Sequence, residues 1–175
     1  MAQPNVNETS QYLSFILEKE VYAVEIGRIR EVLEIQTITR IPRTPEFFKG
    51  IINLRGHAVP VIDLRIKFGI FATVQTVNTC ILILEVKSLE ETVVLGALVD
   101  AVQEVFDLAQ ADIEEAPRMG TRVRMDFIQG IGRIDQKFVI ILGVDRVFSE
   151  EELALVKQAE THKIEPDRVE VVLEK

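Results

Sequence analysis

The chain matches itself, and no other feature constrains its fold as strongly. Val24–Leu33, VEIGRIREVL, resembles Ala97–Phe106, ALVDAVQEVF, with Ile26 over Val99, Ile29 over Val102, Glu31 over Glu104 and Val32 over Val105, a shift of 73 (104 − 31). Pro42-Arg43 matches Pro117-Arg118, and Phe48-Lys49-Gly50-Ile51 matches Ile128-Gln129-Gly130-Ile131 at a shift of 80 (130 − 50). Val61-Ile62-Asp63 aligns with Gly143-Val144-Asp145 after a small insertion. Two copies are too few for a solenoid, in which at least about three repeats stack. The expectation is two similar β lobes.

Strand candidates fall on this frame. In the first copy they are Tyr12–Leu17, Val21–Glu25, Arg30–Thr37, Gly50–Leu54 and Ala58–Asp63. In the second they are Thr79–Glu85, Thr92–Val99, Ala101–Leu108, Gly130–Ile134 and Lys137–Val144. Each is short, rich in β-branched or aromatic residues, and bounded by turn formers or charges. Short strands without long helices between them predict small closed barrels and not a parallel α/β sheet. One helix is expected at Ser149–Glu160, opened by the S-x-x-E capping box of Ser149 and Glu152 and striped by Leu153, Val156 and Ala159.

The stretch FKGIINLRGHAVPVIDL, Phe48–Leu64, reads as a hairpin whose turn is made by Asn53, Leu54, Arg55 and Gly56. Asn and Gly tolerate the backbone angles such a turn needs. Arg55 has no part in that scheme, and at the matching position the second copy carries Asp135. Strands that recur around a turn whose charge reverses assign Arg55 to binding.

A hydrophobic content of 47 % over 175 residues is enough for a proper core. The net charge of −8 disfavours general nucleic-acid binding, because an acidic surface repels phosphates. The start, MAQPNVNETSQ, lacks the basic and apolar regions of a secretory signal and reads as a flexible lead-in over residues 1–10. The single cysteine, Cys80, lies in an apolar strand pattern and reads as a buried, inert thiol in a reducing cytoplasm. His57 and His162 are far apart, and no cluster has metal-ligand spacing. Gly130-Ile131-Gly132-Arg133 lacks the third glycine and the following helix of a dinucleotide loop. Asp63, Asp100 and Asp145 end or follow apolar runs, where carboxylates cap turns. No catalytic set, cofactor or metal site is expected, which favours a binding protein.

Asn53-Leu54-Arg55-Gly56 followed by Pro60-Val61-Ile62-Asp63-Leu64-Arg65 resembles the signature of the CheW family of bacterial chemotaxis adaptors. Tyr12–Phe15 with Tyr22-Ala23-Val24, Ile29-Arg30-Glu31-Val32, Ile41-Pro42 through Thr44-Pro45, Lys49-Gly50 and Leu98-Val99-Asp100 extend the likeness over most of the chain. It implies a mainly β fold of two intertwined five-stranded SH3-like barrels with a short C-terminal helix. The family domain would span residues 11–158, with lobes at about 12–68 and 78–147 and a helix at 149–160, leaving a tail at 161–175 that alternates weakly at Val169, Val171 and Leu173.

The resemblance also implies a non-catalytic cytoplasmic adaptor, recruited to membrane-associated arrays without membrane insertion. It would couple the cytoplasmic tip of chemoreceptors to the regulatory domain of the histidine kinase CheA, with other CheW-like domains as ring neighbours. Carried over by position, receptor contact would fall on Ile29, Glu31, Gly50, Arg55 and Gly56. For Ile29 the competing reading is barrel core, for Glu31 a structural role, and for the two glycines backbone geometry. Kinase contact is expected at strand edges near Leu33, Ile35, Thr37 and Thr39. An adaptor of a motility or developmental kinase pathway and an SH3-like nucleic-acid binder are the alternative readings. The latter would need a basic face with exposed aromatics.

Overall fold

The structure, a computed structural model, describes residues 8–89, 91–116 and 125–161. The Pro117-Arg118 match, His162 and the tail alternation lie outside the described residues. Among the described residues ten strands form: β1 Thr9–Leu17, β2 Glu20–Glu25, β3 Ile29–Glu34, β4 Phe48–Leu54, β5 His57–Asp63, β6 Cys80–Lys87, β7 Thr92–Val99, β8 Ala101–Ala109, β9 Ile128–Ile134 and β10 Lys137–Leu142. Two helices join them, the single turn α1 Leu64–Lys67 and α2 Glu150–Thr161.

The strands make two five-stranded sheets, β8-β1-β2-β10-β9 and β3-β6-β7-β5-β4, called sheets one and two below. Each sequence copy gives its first two strands to one sheet and its last three to the other. The registers reproduce both repeat shifts. Ala23 lies beside Ile141 in the parallel pair β2/β10, and Gly96 lies beside Val61 in the parallel pair β7/β5. Val105 pairs with Leu13, as Val32 pairs with Leu82.

These ladders correct the repeat at one point. Leu54 pairs with His57 and Ile134 with Lys137, so both hairpins have two-residue turns and no insertion follows. Val61-Ile62-Asp63 therefore corresponds to Ile141-Leu142-Gly143, not to residues 143–145. Thr9 and Ser10, expected in the flexible lead-in, pair with Ala109 and Leu108 and belong to β1. The third strand stops at Glu34, short of the expected Thr37, because its last partner is Cys80 and the chain then turns away to reach β4. The final strand ends at Leu142, and Val144 begins a 3-10 turn.

The sheets are not closed barrels. The edge strands β8 and β9 of sheet one, and β3 and β4 of sheet two, share no ladder. Each sheet curls until one isolated bridge crosses its seam: Glu114 to Ile131 in sheet one and Thr39 to Ile51 in sheet two. Both seams need a glycine. A Cβ at Gly50, whose φ is +142°, would sit 2.1 Å from the Thr39 carbonyl oxygen, and one at Gly130 would sit 2.4 Å from the Ile113 Cγ2.

Curling explains why the strands read as apolar runs and not as clean alternation. In β6, Ile81 and Ile83 point into a cluster inside sheet two, while Leu82, Leu84 and Val86 point into a larger cluster shared by both sheets. Tyr12, Ala23, Val139 and Ile141 fill the inside of sheet one. A strand buried on both faces loses its polar face. Cys80 sits half-buried at the edge of the shared cluster, and burial pushes its thiol pKa up, as befits an unreactive side chain.

Where the chain passes between sheets, ion pairs hold the crossing. Arg28, after β2, pairs with both carboxylate oxygens of Asp145. Asp100, after β7, is gripped by Arg65, with the closest approach 2.6 Å. Asp63 is fully buried; it caps α1 by accepting from the Arg65 N–H and anchors the following loop through the Thr73 N–H and hydroxyl. The capping box of α2 forms as expected: Ser149 N–H donates to Glu152 Oε1 at 2.8 Å, and Glu152 N–H to Ser149 Oγ at 3.1 Å. Leu153 and Val156 enter the shared core. Lys67 fixes α2 from below, bonding Glu152 with its ammonium 4.9 Å from the Phe47 ring centroid and 5.7 Å from those of Phe127 and Phe148.

Candidate functional site

The hairpin turn of sheet two is tighter than its sequence suggests. Asn53 and Leu54 still belong to β4, so the turn proper is Arg55-Gly56. Arg55 has φ +52° and Gly56 +85°, the paired positive values of a type I′ hairpin. Asn53 contributes through its side chain, whose Oδ1 accepts from the Gly56 N–H at 2.8 Å. The residue forced into the left-handed region is the arginine itself. It stands at the apex with its side chain 72 % exposed.

Arg55 reaches across the seam of sheet two to Glu31 on the opposite edge strand. Its two terminal nitrogens donate to the two carboxylate oxygens at 2.8 and 3.1 Å. This fork-on-fork geometry fixes the guanidinium plane. The hydrogen bond from Arg55 holds the Glu31 carboxyl below its ordinary pKa, and the same bond raises that of Arg55. Glu31 faces this way because β3 carries a bulge: the register slips between Ile29 and Glu31, with Arg30 as the extra residue.

The pair rims a groove of about 820 Å³, floored by Leu54, Val59, Ile83 and Val94. Its far side is closed by α2, where Lys157 is salt-bridged to Glu91. Exposed cations over an apolar floor suit an amphipathic segment that carries carboxylates. Among the described residues no group of three or more His, Cys, Asp or Glu is placed to hold a metal ion.

The five residues expected at a receptor contact divide. Glu31 and Arg55 meet in one ion pair, and Gly56 is exposed beside them. Ile29 lies across the bulge and packs half-buried against the shared core, which is the competing reading for it. Gly50 is buried under the Thr39 carbonyl, where its role is backbone approach. Of the four expected near a kinase contact, Leu33 and Ile35 pack half-buried against the inner cluster of sheet two. Thr37 and Thr39 are exposed beyond the end of β3. Sequence reasoning missed Arg30, Val59, Val94 and Lys157 as groove residues. Val59 and Val94 were assigned to strands, yet only the sheet order shows that they converge.

The model of the CheW-like domain matches residues 11–152. The chain is 34 % identical over 146 residues to the chemotaxis protein CheW of Klebsiella aerogenes, covering 83 % of this chain and 86 % of that protein. It is 31 % identical over 149 residues to CheW of Helicobacter pylori, covering 85 % and 87 %. The crystal structure of the scaffolding protein TtCheW from Thermoanaerobacter tengcongensis superposes with a TM-score of 0.73 at 36 % identity, over 83 % of this chain and 97 % of that one. Two curled five-stranded sheets with exchanged strands, a family model spanning most of the chain and relatives matched over nearly their full length agree: this chain belongs to the CheW-like family.

Proposed function

We propose that this protein is a non-catalytic adaptor of bacterial chemotaxis signalling. It couples the cytoplasmic tips of chemoreceptors to a CheA-type histidine kinase and is recruited from the cytoplasm to receptor arrays. The single observation that carries this reading is Arg55: a guanidinium on a rigid, positive-φ turn, locked in plane by Glu31 at the rim of an apolar-floored groove. A receptor tip is a helical hairpin, and a helix offering a carboxylate beside apolar side chains fits that chemistry. The names of the relatives, chemotaxis proteins and a scaffolding protein, support the same role. Kinase contact is assigned to the exposed edge around Thr37 and Thr39.

The test is reconstitution with a chemoreceptor cytoplasmic fragment and CheA, reading co-sedimentation and kinase activity. The wild-type chain should assemble all three and raise kinase activity. Arg55→Glu should weaken receptor binding at least tenfold while the thermal unfolding transition barely moves, since the side chain is exposed. A ternary assembly unaffected by this substitution would overturn the assignment of Arg55.

A further inference from the structure

The groove at Arg55 has a counterpart on sheet one. A second groove, of about 390 Å³, is lined by Val21, Glu104, Ile134, Asp135, Lys137 and Val139, with Ser14 and Gln103 beside them. Every one of these six stands at a repeat shift from a residue of the first groove. At 73 residues, Val21 answers to Val94 and Glu104 to Glu31; at 80, Ile134 answers to Leu54, Asp135 to Arg55, Lys137 to His57 and Val139 to Val59. Even the bulge recurs: the β1/β8 register slips opposite Ser14, whose hydroxyl donates to the Glu104 carbonyl at 3.1 Å and accepts its N–H at 3.2 Å.

The two grooves share a shape and a floor but not a charge. The first is rimmed by Arg30, Arg55 and Lys157 against Glu31 and Glu91. The second has Glu104 and Asp135 against Lys137 alone. Asp135 occupies the apex of its turn with φ +48°, as Arg55 does with +52°.

We propose that the second groove docks a segment of a protein partner that carries Lys or Arg beside apolar side chains, and that the residue at the turn apex, Arg55 or Asp135, selects which partner each groove takes. The apolar floor of Val21, Ile134 and Val139 receives the apolar side chains, and Glu104 with Asp135 receives the cation. Nucleic acid is excluded by the sign of the rim. The acidic specificity of the first groove rests on the function proposed above; the basic specificity of the second does not.

Two amphipathic 15-residue helical peptides of one apolar pattern, one with lysines and one with glutamates, test this on the full 15N-labelled chain at physiological salt. The lysine peptide should shift the amides of Ser14, Glu104, Asp135 and Val139 saturably. Asp135→Arg should weaken that binding at least tenfold and leave receptor-fragment binding at the first groove unchanged. The substitution is compatible with the fold, because an arginine already takes this backbone conformation at position 55. Lys137→Glu should strengthen lysine-peptide binding severalfold. Lysine-peptide shifts scattered over the acidic surface, or unchanged binding by Asp135→Arg, would overturn the proposal. Self-association that is lost in Asp135→Arg, without any response to the peptide, would overturn it in favour of a second copy as occupant. A chain that binds the lysine peptide here and fails to bind receptor leaves this proposal standing and removes the other.

Discussion

The two crossings between the sheets and the two seams that close them respond differently to duplication. At the crossings both copies keep an ion pair and exchange its sign: Arg28 meets Asp145 in one, and Asp100 meets Arg65 in the other. Arg65 and Asp145 lie one 80-residue shift apart, but Arg28 and Asp100 lie 72 apart (100 − 28), one residue off the 73-residue shift, so each copy meets the changed charge from a neighbouring position. At the seams only one member changed. Glu31 faces Arg55, whereas the corresponding acids Glu104 and Asp135 line one groove. A contact the fold depends on is rebuilt from a neighbouring position when one member changes sign. The crossing pairs are part-buried, where losing one partner strands the other. In the Glu31–Arg55 pair the guanidinium is exposed and sheet one does without an equivalent, which supports the recognition role proposed for Arg55.

This contrast can be pressed at three points. The largest effect is expected at the seams' glycines. Gly50→Ala should destabilise by roughly 4 kcal/mol in urea unfolding, because a left-handed conformation and a backbone oxygen both oppose the methyl. Gly130→Ala should cost about 1–2 kcal/mol, since its nearest neighbour is the Ile113 methyl, a side chain that can turn aside. Equal losses would mean that the two seams close by the same backbone approach. At the crossings, Arg65→Ala should cost about 2–3 kcal/mol by leaving Asp100 short of its partner. The exchange Arg65→Asp with Asp100→Arg should recover more than half of that in a double-mutant cycle, because opposite charges again face each other at the crossing.

The smallest effect is in acid. The folded-state pKa of Glu31 lies below its unfolded value, so the stabilisation from its pairing is present above the ordinary glutamate pKa. It is lost as the pH falls through the lowered one. Carboxyl carbon shifts should show Glu31 titrating below the usual glutamate range in the wild-type chain and within it in Arg55→Gln. A Glu31 that titrates alike in both would show that the ion pair does not hold in solution.

Much of the fold was legible because duplication is written twice. The strand β7 was placed to the residue, since Thr92 and Asp100 bracket an unbroken apolar run, and the Ser149 capping box marked the start of α2. The end of β3 was not legible. Ile35 continues the apolar pattern, but it serves the inner cluster of sheet two and not a ladder. The site was half legible. Arg55 stood out as a charge that turn chemistry did not need, yet its bond to Glu31 depends on a curl that brings residues 24 positions apart across a seam. Ile29 was carried to the site by its position in the family resemblance, whereas in the structure it lies across the bulge at Arg30 and packs against the shared core.

The exchange of strands has one more consequence. If the chain were cut in the loop between Phe71 and Asn78, each product would hold two strands of one sheet and three of the other, and a complete version of neither. The parallel seams of β2 with β10 and β5 with β7 would then be intermolecular contacts. In that sense the molecule is an obligate heterodimer whose subunits are joined end to end, and the loop that tethers them raises their effective concentration.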